Sequence, residues 1–406
     1  MLTERRPPNL TRRSLLGAAA VALAPLAIAT AQSRPAAART PAPVRLTLPV
    51  PSGPHPIGTV WSHLVDRARV DPWQPSRPAR ELMIQLWYPA RAADDHPFAP
   101  WMSAAAVPFF EQAQGIPPGT LLLPTTHARV AVPVDPGRYG RPVVLYSPGL
   151  RSDRSLGTAL VEELASHGYL VVAVDHTYDA DQVEFPGGRV ESFAITGTVD
   201  DALIGKALAA RTADIRFVLD QVTALNDGVN PDAERRPLPA TLTGAFHLPR
   251  TGILGHSLGG ATAAAAMRTD RRLRAGVNLD GSLLAPATAG TDRPFLLFGS
   301  DPGPGPEDPS WDRFWASQRG WKRELALTGS SHISFTDLET LLPQAAPSLG
   351  LTPGQVTQAI GILDPYRAIV AQRDYVRAFF DLQLRHQDNH LFQHPSPRYP
   401  QIRFVR

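Results

Sequence analysis

The chain has 406 residues, 43% hydrophobic and 19% charged, which excludes an intrinsically disordered polymer and leaves one large domain or two of ordinary size. Its formal charge of +3 resides in residues 1–31, where Arg5, Arg6, Arg12 and Arg13 face Glu4 alone; the neutral remainder has no basic run interleaved with aromatics, so nucleic-acid binding has no support. There is no cysteine, which excludes disulfides, a thiolate nucleophile, thiolate-held metals and a lipidated-cysteine anchor.

In chain order, a basic start ending in Thr11-Arg12-Arg13-Ser14-Leu15-Leu16 leads through an apolar stretch to the small-residue site Ala29-Thr30-Ala31. That is the layout of a secretory signal peptide over residues 1–31. Its paired arginines resemble a twin-arginine signal, which exports proteins already folded. The apolar run is shorter than the ~20 residues of a membrane span and Pro25 interrupts it, so a secreted or periplasmic location is expected rather than an anchor. Residues 32–43, rich in Pro, Ala and Arg, read as a tether, residues 44–388 as a single domain and residues 389–406 as a polar C-terminal tail.

The domain opens on two β-like runs, residues 44–48 and 81–88, the second with Leu82, Ile84 and Leu86 at alternate positions. A proline-rich excursion over 89–124 follows. From Pro142 short apolar runs alternate with helix-like segments: strands at 143–146, 169–174, 252–255, 275–279, 294–298 and 322–327, and helices at 156–167, 199–224, 258–267 and 309–318. This alternation predicts the α/β class, a mostly parallel central sheet with helices on both faces. A last amphipathic helix is predicted over 366–384.

Gly255-His256-Ser257-Leu258-Gly259 fits the G-x-S-x-G elbow that presents a nucleophilic serine on a sharp strand-to-helix turn. An apolar strand leads into it, and Gly260, Ala261 and Ala263 to Ala266 follow on a helix whose small side chains permit close approach to the sheet. Ser257 is therefore the candidate nucleophile, and His256 is expected to pack beneath it. In this fold the order is serine, acid, histidine. Among the histidines beyond the elbow only His332 directly follows a predicted strand. For the acid, Asp280 and Asp301 both close strands at the carboxyl edge of the sheet, and spacing does not choose between them. Oxyanion donors are expected from the amide of Leu258 and from the loop after strand 143–146, where Pro148 has no amide hydrogen and Gly149 permits close approach, leaving Leu150.

Several stretches resemble the plasma-type platelet-activating factor acetylhydrolase family and its bacterial relatives. They are Ser52-Gly53-Pro54-His55-Pro56-Ile57-Gly58, Leu86-Trp87-Tyr88-Pro89, Ser147-Pro148-Gly149-Leu150, Leu164-Ala165-Ser166-His167-Gly168-Tyr169, the elbow through Thr262, Leu279-Asp280-Gly281, and Ser331-His332 with Phe335-Thr336-Asp337. The resemblance implies an α/β-hydrolase fold, cofactor-free and calcium-independent ester hydrolysis, Ser257, Asp280 and His332 as triad, and Leu150 and Leu258 as oxyanion donors. Pro148 stands where the animal enzymes have histidine.

The expected partner is a small-molecule or lipid ester met by a monomer; the apolar stretches at 101–110 and 338–342 read as core packing or a pocket wall, with a transient lipid-interface contact as the alternative. The same residues also serve a lipase, a polyester hydrolase or an acyltransferase. A non-catalytic binding protein of the same fold would not need the complete catalytic set. His386, His390 and His394 recur at intervals of four, but no carboxylate-histidine zinc motif accompanies them, and no metal is expected.

Overall fold

Val143 and Leu145 face one apolar core while Val144 and Tyr146, alternating with them, face another. A strand buried on both sides needs helices on both faces of its sheet. The computed structural model, which describes residues 43–91, 95–301 and 308–406, has this layered form; the leader and most of the tether lie outside the described residues.

The central sheet has eleven strands. They are β1 (Ile57–Asp66), β2 (Arg80–Pro89), β3 (Phe98–Pro100), β4 (Thr125–Val130), β5 (Arg141–Ser147), β6 (Leu170–Asp175), β7 (Phe246–His256), β8 (Leu273–Leu279), β9 (Phe295–Asp301), β10 (Lys322–Thr328) and β11 (Ile402–Phe404). Their spatial order is β11-β10-β9-β8-β7-β5-β6-β2-β1-β4-β3. The strands from β6 to β10 run parallel, and β2 and β11 join the two sides of that block antiparallel. Among the helices, α1 (Val107–Gln114) lies in the proline-rich excursion, and α2 (Thr158–Ser166), α3 (Asp201–Asn226), α4 (Leu258–Thr269), α5 (Pro309–Ser317), α6 (Leu338–Leu349), α7 (Pro353–Ile360) and α8 (Pro365–Phe380) follow in order. Helices α3 and α4 cover one face; α2 and α8 cover the other.

The predicted alternation after Pro142 is present throughout. Three departures have physical causes. Strand β1 was not expected, because Thr59, Ser62 and His63 interrupt its apolar pattern; all three are buried and are satisfied from a distance, Thr59 Oγ donating to Leu86 O at 2.8 Å and the His63 amide to Asp232 at 3.0 Å. The run at 44–48 forms only a two-residue strand, Val44–Arg45, because Leu46 and Leu48 turn into a satellite core with Trp101, Phe110 and Leu341. That core also takes in most of the apolar residues of 101–110 and 338–342, the packing role read for them, while Phe109 stays exposed.

The third departure corrects the boundary at residue 388. The chain beyond it is not a detached polar tail: Phe392, Tyr399 and Ile402 enter the core under α8, and β11 pairs with β10. These apolar residues are spaced too widely for a periodic signal, and Pro395, Pro397 and Pro400 mask them.

Glu163 of α2 anchors the early Ser52-Gly53 segment. Its carboxylate accepts from the Ser52 amide at 2.8 Å and the Ser52 hydroxyl, and pairs with His167 at 2.9 Å. Burial alone would raise its pKa, but the His167 and Ser52 hydrogen bonds and the Arg373 charge outweigh it and hold the group at about 2, against an ordinary 4.5. A depressed carboxylate contributes stability above its unfolded pKa and loses it as pH falls toward the folded one. Glu163→Gln is therefore expected to lower unfolding free energy at pH 7 by about 2–3 kcal/mol, a penalty that shrinks between pH 4.5 and 2. Urea titrations at pH 7 and pH 3 measure this; an equal penalty at both would refute it.

Candidate active site

Strand β7 ends at His256 and α4 starts at Leu258, so Ser257 alone reverses the chain, with φ 55° and ψ −124°. For a residue with a side chain such a backbone costs on the order of 1–3 kcal/mol and persists only where its surroundings fix it. Here the Ser257 amide donates to Leu279 O of β8 at 2.9 Å, and its carbonyl accepts from Gly260 at 2.9 Å. Glycine is required on both sides. A side chain at Gly255 would overlap the Gly259 backbone, and one at Gly259 would overlap the Ser147 carbonyl.

His332 stands at the start of a 3-10 turn after β10, where Ser331 and Ser334 form a capping box. Its Nδ1 donates to Asp280 Oδ2 at 2.7 Å, which leaves Nε2 to work as a base. Asp280, just past β8, also accepts from the Ser300 amide at 2.7 Å. Burial would raise the Asp280 carboxyl, but the bonds from His332 and Ser300 hold it below the usual carboxylate range, so it stays ionised. The second candidate acid, Asp301, is turned elsewhere: its carboxylate pairs with Arg403 of β11 at 2.9 Å. His256 Nε2 donates to the His332 carbonyl at 3.0 Å, with the two rings 4.5 Å apart. Burial, and then the neighbouring His332, lower its pKa to about 3, so it braces the His332 loop as a neutral ring.

The two stretches expected to supply oxyanion donors lie beside Ser257. Leu258 opens α4, where the first amides have no intrahelical acceptor. Gly149 lies against the elbow, since a methyl group on it would sit 3.3 Å from Ser257 Cβ. The Leu150 amide donates to no backbone carbonyl among the described residues.

Arg211 of α3 fixes that loop. It donates to Pro148 O at 2.5 Å and Gly149 O at 2.8 Å, and a bidentate pair with Asp179 holds it in place. In a trans peptide the carbonyl and the next amide point opposite ways, so anchoring Gly149 O turns the Leu150 amide away from Arg211. One helical turn along α3, Asp214 accepts from Arg80 and His176, and His176 bonds Ser147 at 2.9 Å. Burial opposes ionisation of Asp214, but Arg80 and His176 keep it well below the carboxylate range.

Arg211, Asp179, His176, Asp214, Asn278 and Ser300 were not singled out in the sequence. A signal existed for two: Arg211 and Asp214 fall on the otherwise apolar buried face of α3, where charge is rare unless paired. Asn278 braces the Asp280 turn by bonding both the amide and the carbonyl of Gly281, at 2.9 and 2.7 Å. Among the described residues, His386, His390 and His394 bond none of Ser257, Asp280 and His332. Among the described residues, no set of three or more His, Asp or Glu side chains is placed to hold a metal, and no helix is long and apolar enough to cross a membrane.

The family model for "Platelet-activating factor acetylhydrolase, isoform II" matches residues 44–185 and 202–394. The chain is similar to "Probable 1-alkyl-2-acetylglycerophosphocholine esterase" of Arthroderma benhamiae, 26% identical over 388 residues, covering 89% of this chain and 95% of that one. It is also similar to the platelet-activating factor acetylhydrolase of Cavia porcellus, 27% identical over 292 residues and 63% of each chain. A solved structure, ferulic acid esterase from Streptomyces cinnamoneus, superposes with a TM-score of 0.73 at 35% identity, covering 89% of this chain and 99% of that one. With the elbow, the sheet order and this breadth of match together, the chain belongs to the platelet-activating factor acetylhydrolase, isoform II, family of α/β hydrolases.

Proposed function

We propose that the protein is an exported serine carboxylic-ester hydrolase that cleaves short-acyl esters, including the short sn-2 acyl group of phospholipids, through Ser257, His332 and Asp280. The observation that carries the reading is the 2.7 Å bond from His332 Nδ1 to Asp280, made beside a serine held at φ 55° on a strand-to-helix elbow. Export rests on the sequence of residues 1–31.

In this reading His332 Nε2 takes the Ser257 proton as the hydroxyl attacks the ester carbonyl. The Leu150 and Leu258 amides stabilise the oxyanion, and each donor is worth roughly 3 kcal/mol in the transition state. The intermediate collapses to an acyl-enzyme, and His332 passes the proton to the departing alcohol. Water, deprotonated by the same imidazole, attacks the acyl-enzyme and regenerates Ser257.

A fluorophosphonate probe should label the native protein on Ser257, read as one covalent mass addition on the peptide containing it. An unlabelled native protein would support a non-catalytic binding role. The acyl preference is read from a panel of chromogenic esters of increasing chain length, short-acyl phosphatidylcholines and feruloyl esters; the feruloyl arm is included because the 35% identical structure is a ferulic acid esterase. Alcohol acceptors added to the same assays distinguish acyl transfer from hydrolysis.

Arg211 is a positioning residue here. Arg211→Lys keeps a charge beside Asp179 but cannot bridge two carbonyls, so kcat should fall on the order of 10²-fold with KM little changed. A loss confined to thermal stability, with kcat intact, would remove Arg211 from the mechanism.

A further inference from the structure

Two motifs of the early sequence, the one containing His55 and the one containing His167 and Gly168, take no part in the ester site. They meet at the opposite edge of the sheet. There a cleft of about 650 Å³ is lined by Arg138, Arg141, Arg250 and Arg385, with His55, His167 and His247 between them and no carboxylate among its lining residues. Arg141 begins β5 and Ser147 ends it, so about 20 Å of strand separates this cleft from the elbow.

The cleft has a focus. A methyl group placed on Gly168 would lie 3.0 Å from Arg141 Nη1, 3.1 Å from Arg385 Nη2 and 3.6 Å from His55 Nε2. Two guanidinium groups converging this closely repel each other, and the fold holds them there: Arg141 bonds Asp135 at 2.7 Å, while Arg385 bonds Asp381 at 3.0 Å and stacks over Tyr169 at 3.8 Å. Those carboxylates offset two of the four arginines. Arg138 stacks on Tyr139 and Arg250 lies near His247, and neither pairs with a carboxylate among the described residues. Burial and the adjacent arginines, Arg141 for His55 and Arg250 for His247, push both imidazoles below their ordinary pKa, as a positive potential does. Two uncompensated charges match a group of about −2, the charge of a phosphomonoester near neutral pH. Guanidinium forks also match its oxygens. The volume exceeds that of a bare ion and falls in the usual range for small-molecule sites.

We propose that this cleft binds a phosphomonoester, with Arg141 and Arg385 donating to its oxygens and Arg138 and Arg250 supplying the balancing charge. The group arrives on a soluble metabolite-sized ligand or on a lipid headgroup, and two arms separate these sources. In the first, glycerol 3-phosphate is titrated into the purified protein by calorimetry. In the second, the protein is co-sedimented with phosphatidylcholine vesicles with and without phosphatidic acid.

Saturable one-to-one binding of glycerol 3-phosphate is expected, weakened on the order of tenfold or more in the double variant Arg138→Gln, Arg250→Gln. Because both side chains lack carboxylate partners among the described residues and lie away from the elbow, thermal unfolding and ester turnover should stay unchanged. Binding only to phosphatidic acid vesicles, lost in the same variant, would assign the same site to a lipid-borne phosphate. No binding in either arm, or binding that the double variant leaves within roughly twofold, would overturn the proposal.

Discussion

Ser257→Ala is expected to lower ester turnover by about 10⁶-fold while leaving a folded protein. In the proposed mechanism the hydroxyl forms the acyl-enzyme, and removing it leaves the oxyanion donors to give residual catalysis alone. His332→Ala should cost a similar factor, and the double variant about as much as either single one, because nucleophile and base act as a unit. The Ser257 backbone strain remains in the alanine variant, so its melting temperature should match or exceed that of the native protein. Turnover of a chromogenic acetate ester by the Ser257→Ala protein at near the native rate would reject the mechanism, provided the melt is cooperative.

The second large effect distinguishes the two aspartates. Asp280→Asn should reduce kcat by roughly 10⁴-fold, since an amide no longer holds His332 in the tautomer with Nδ1 protonated or stabilises the imidazolium. Asp301→Asn removes only the pair with Arg403, whose side chain is 51% exposed. Such a pair is worth about 0–1 kcal/mol, so turnover should stay within roughly twofold. The reverse result, an active Asp280→Asn and an inactive Asp301→Asn, would transfer the acid role to the other strand.

The two aspartates also mark how far the sequence could be read. Both close a strand, and both precede a loop. Their difference lies in direction: Asp280 adopts a positive φ of 55°, braced by Asn278 and Ser300, which turns its carboxylate toward the loop after β10. Asp301 continues in strand and meets β11, a strand the sequence did not announce. The resemblance to a known family favoured Asp280 where spacing could not. His256 was expected beneath the elbow; its bond to the His332 carbonyl was not, because the two residues are 76 positions apart. Likewise the run at 57–66 was not read as a strand; the partners that satisfy its Thr59, Ser62 and His63 lie on β2 and around Asp232.

What the sequence determined by itself were features whose physics is local. The α/β alternation follows from short apolar runs between helical periods, and the elbow at Ser257 follows from glycines placed where a side chain would strike backbone. The late position of His332 follows from chain order. Tertiary structure alone decided which carboxylate meets that imidazole, which arginine pins the Pro148 and Gly149 carbonyls, and how arginines from three separate segments come to share one cleft. Those outcomes depend on strand register and, for the buried groups at the elbow, on the cost of leaving a charge unpaired in the core, which draws Arg211 to Asp179 and Asp214 to Arg80 across long stretches of chain.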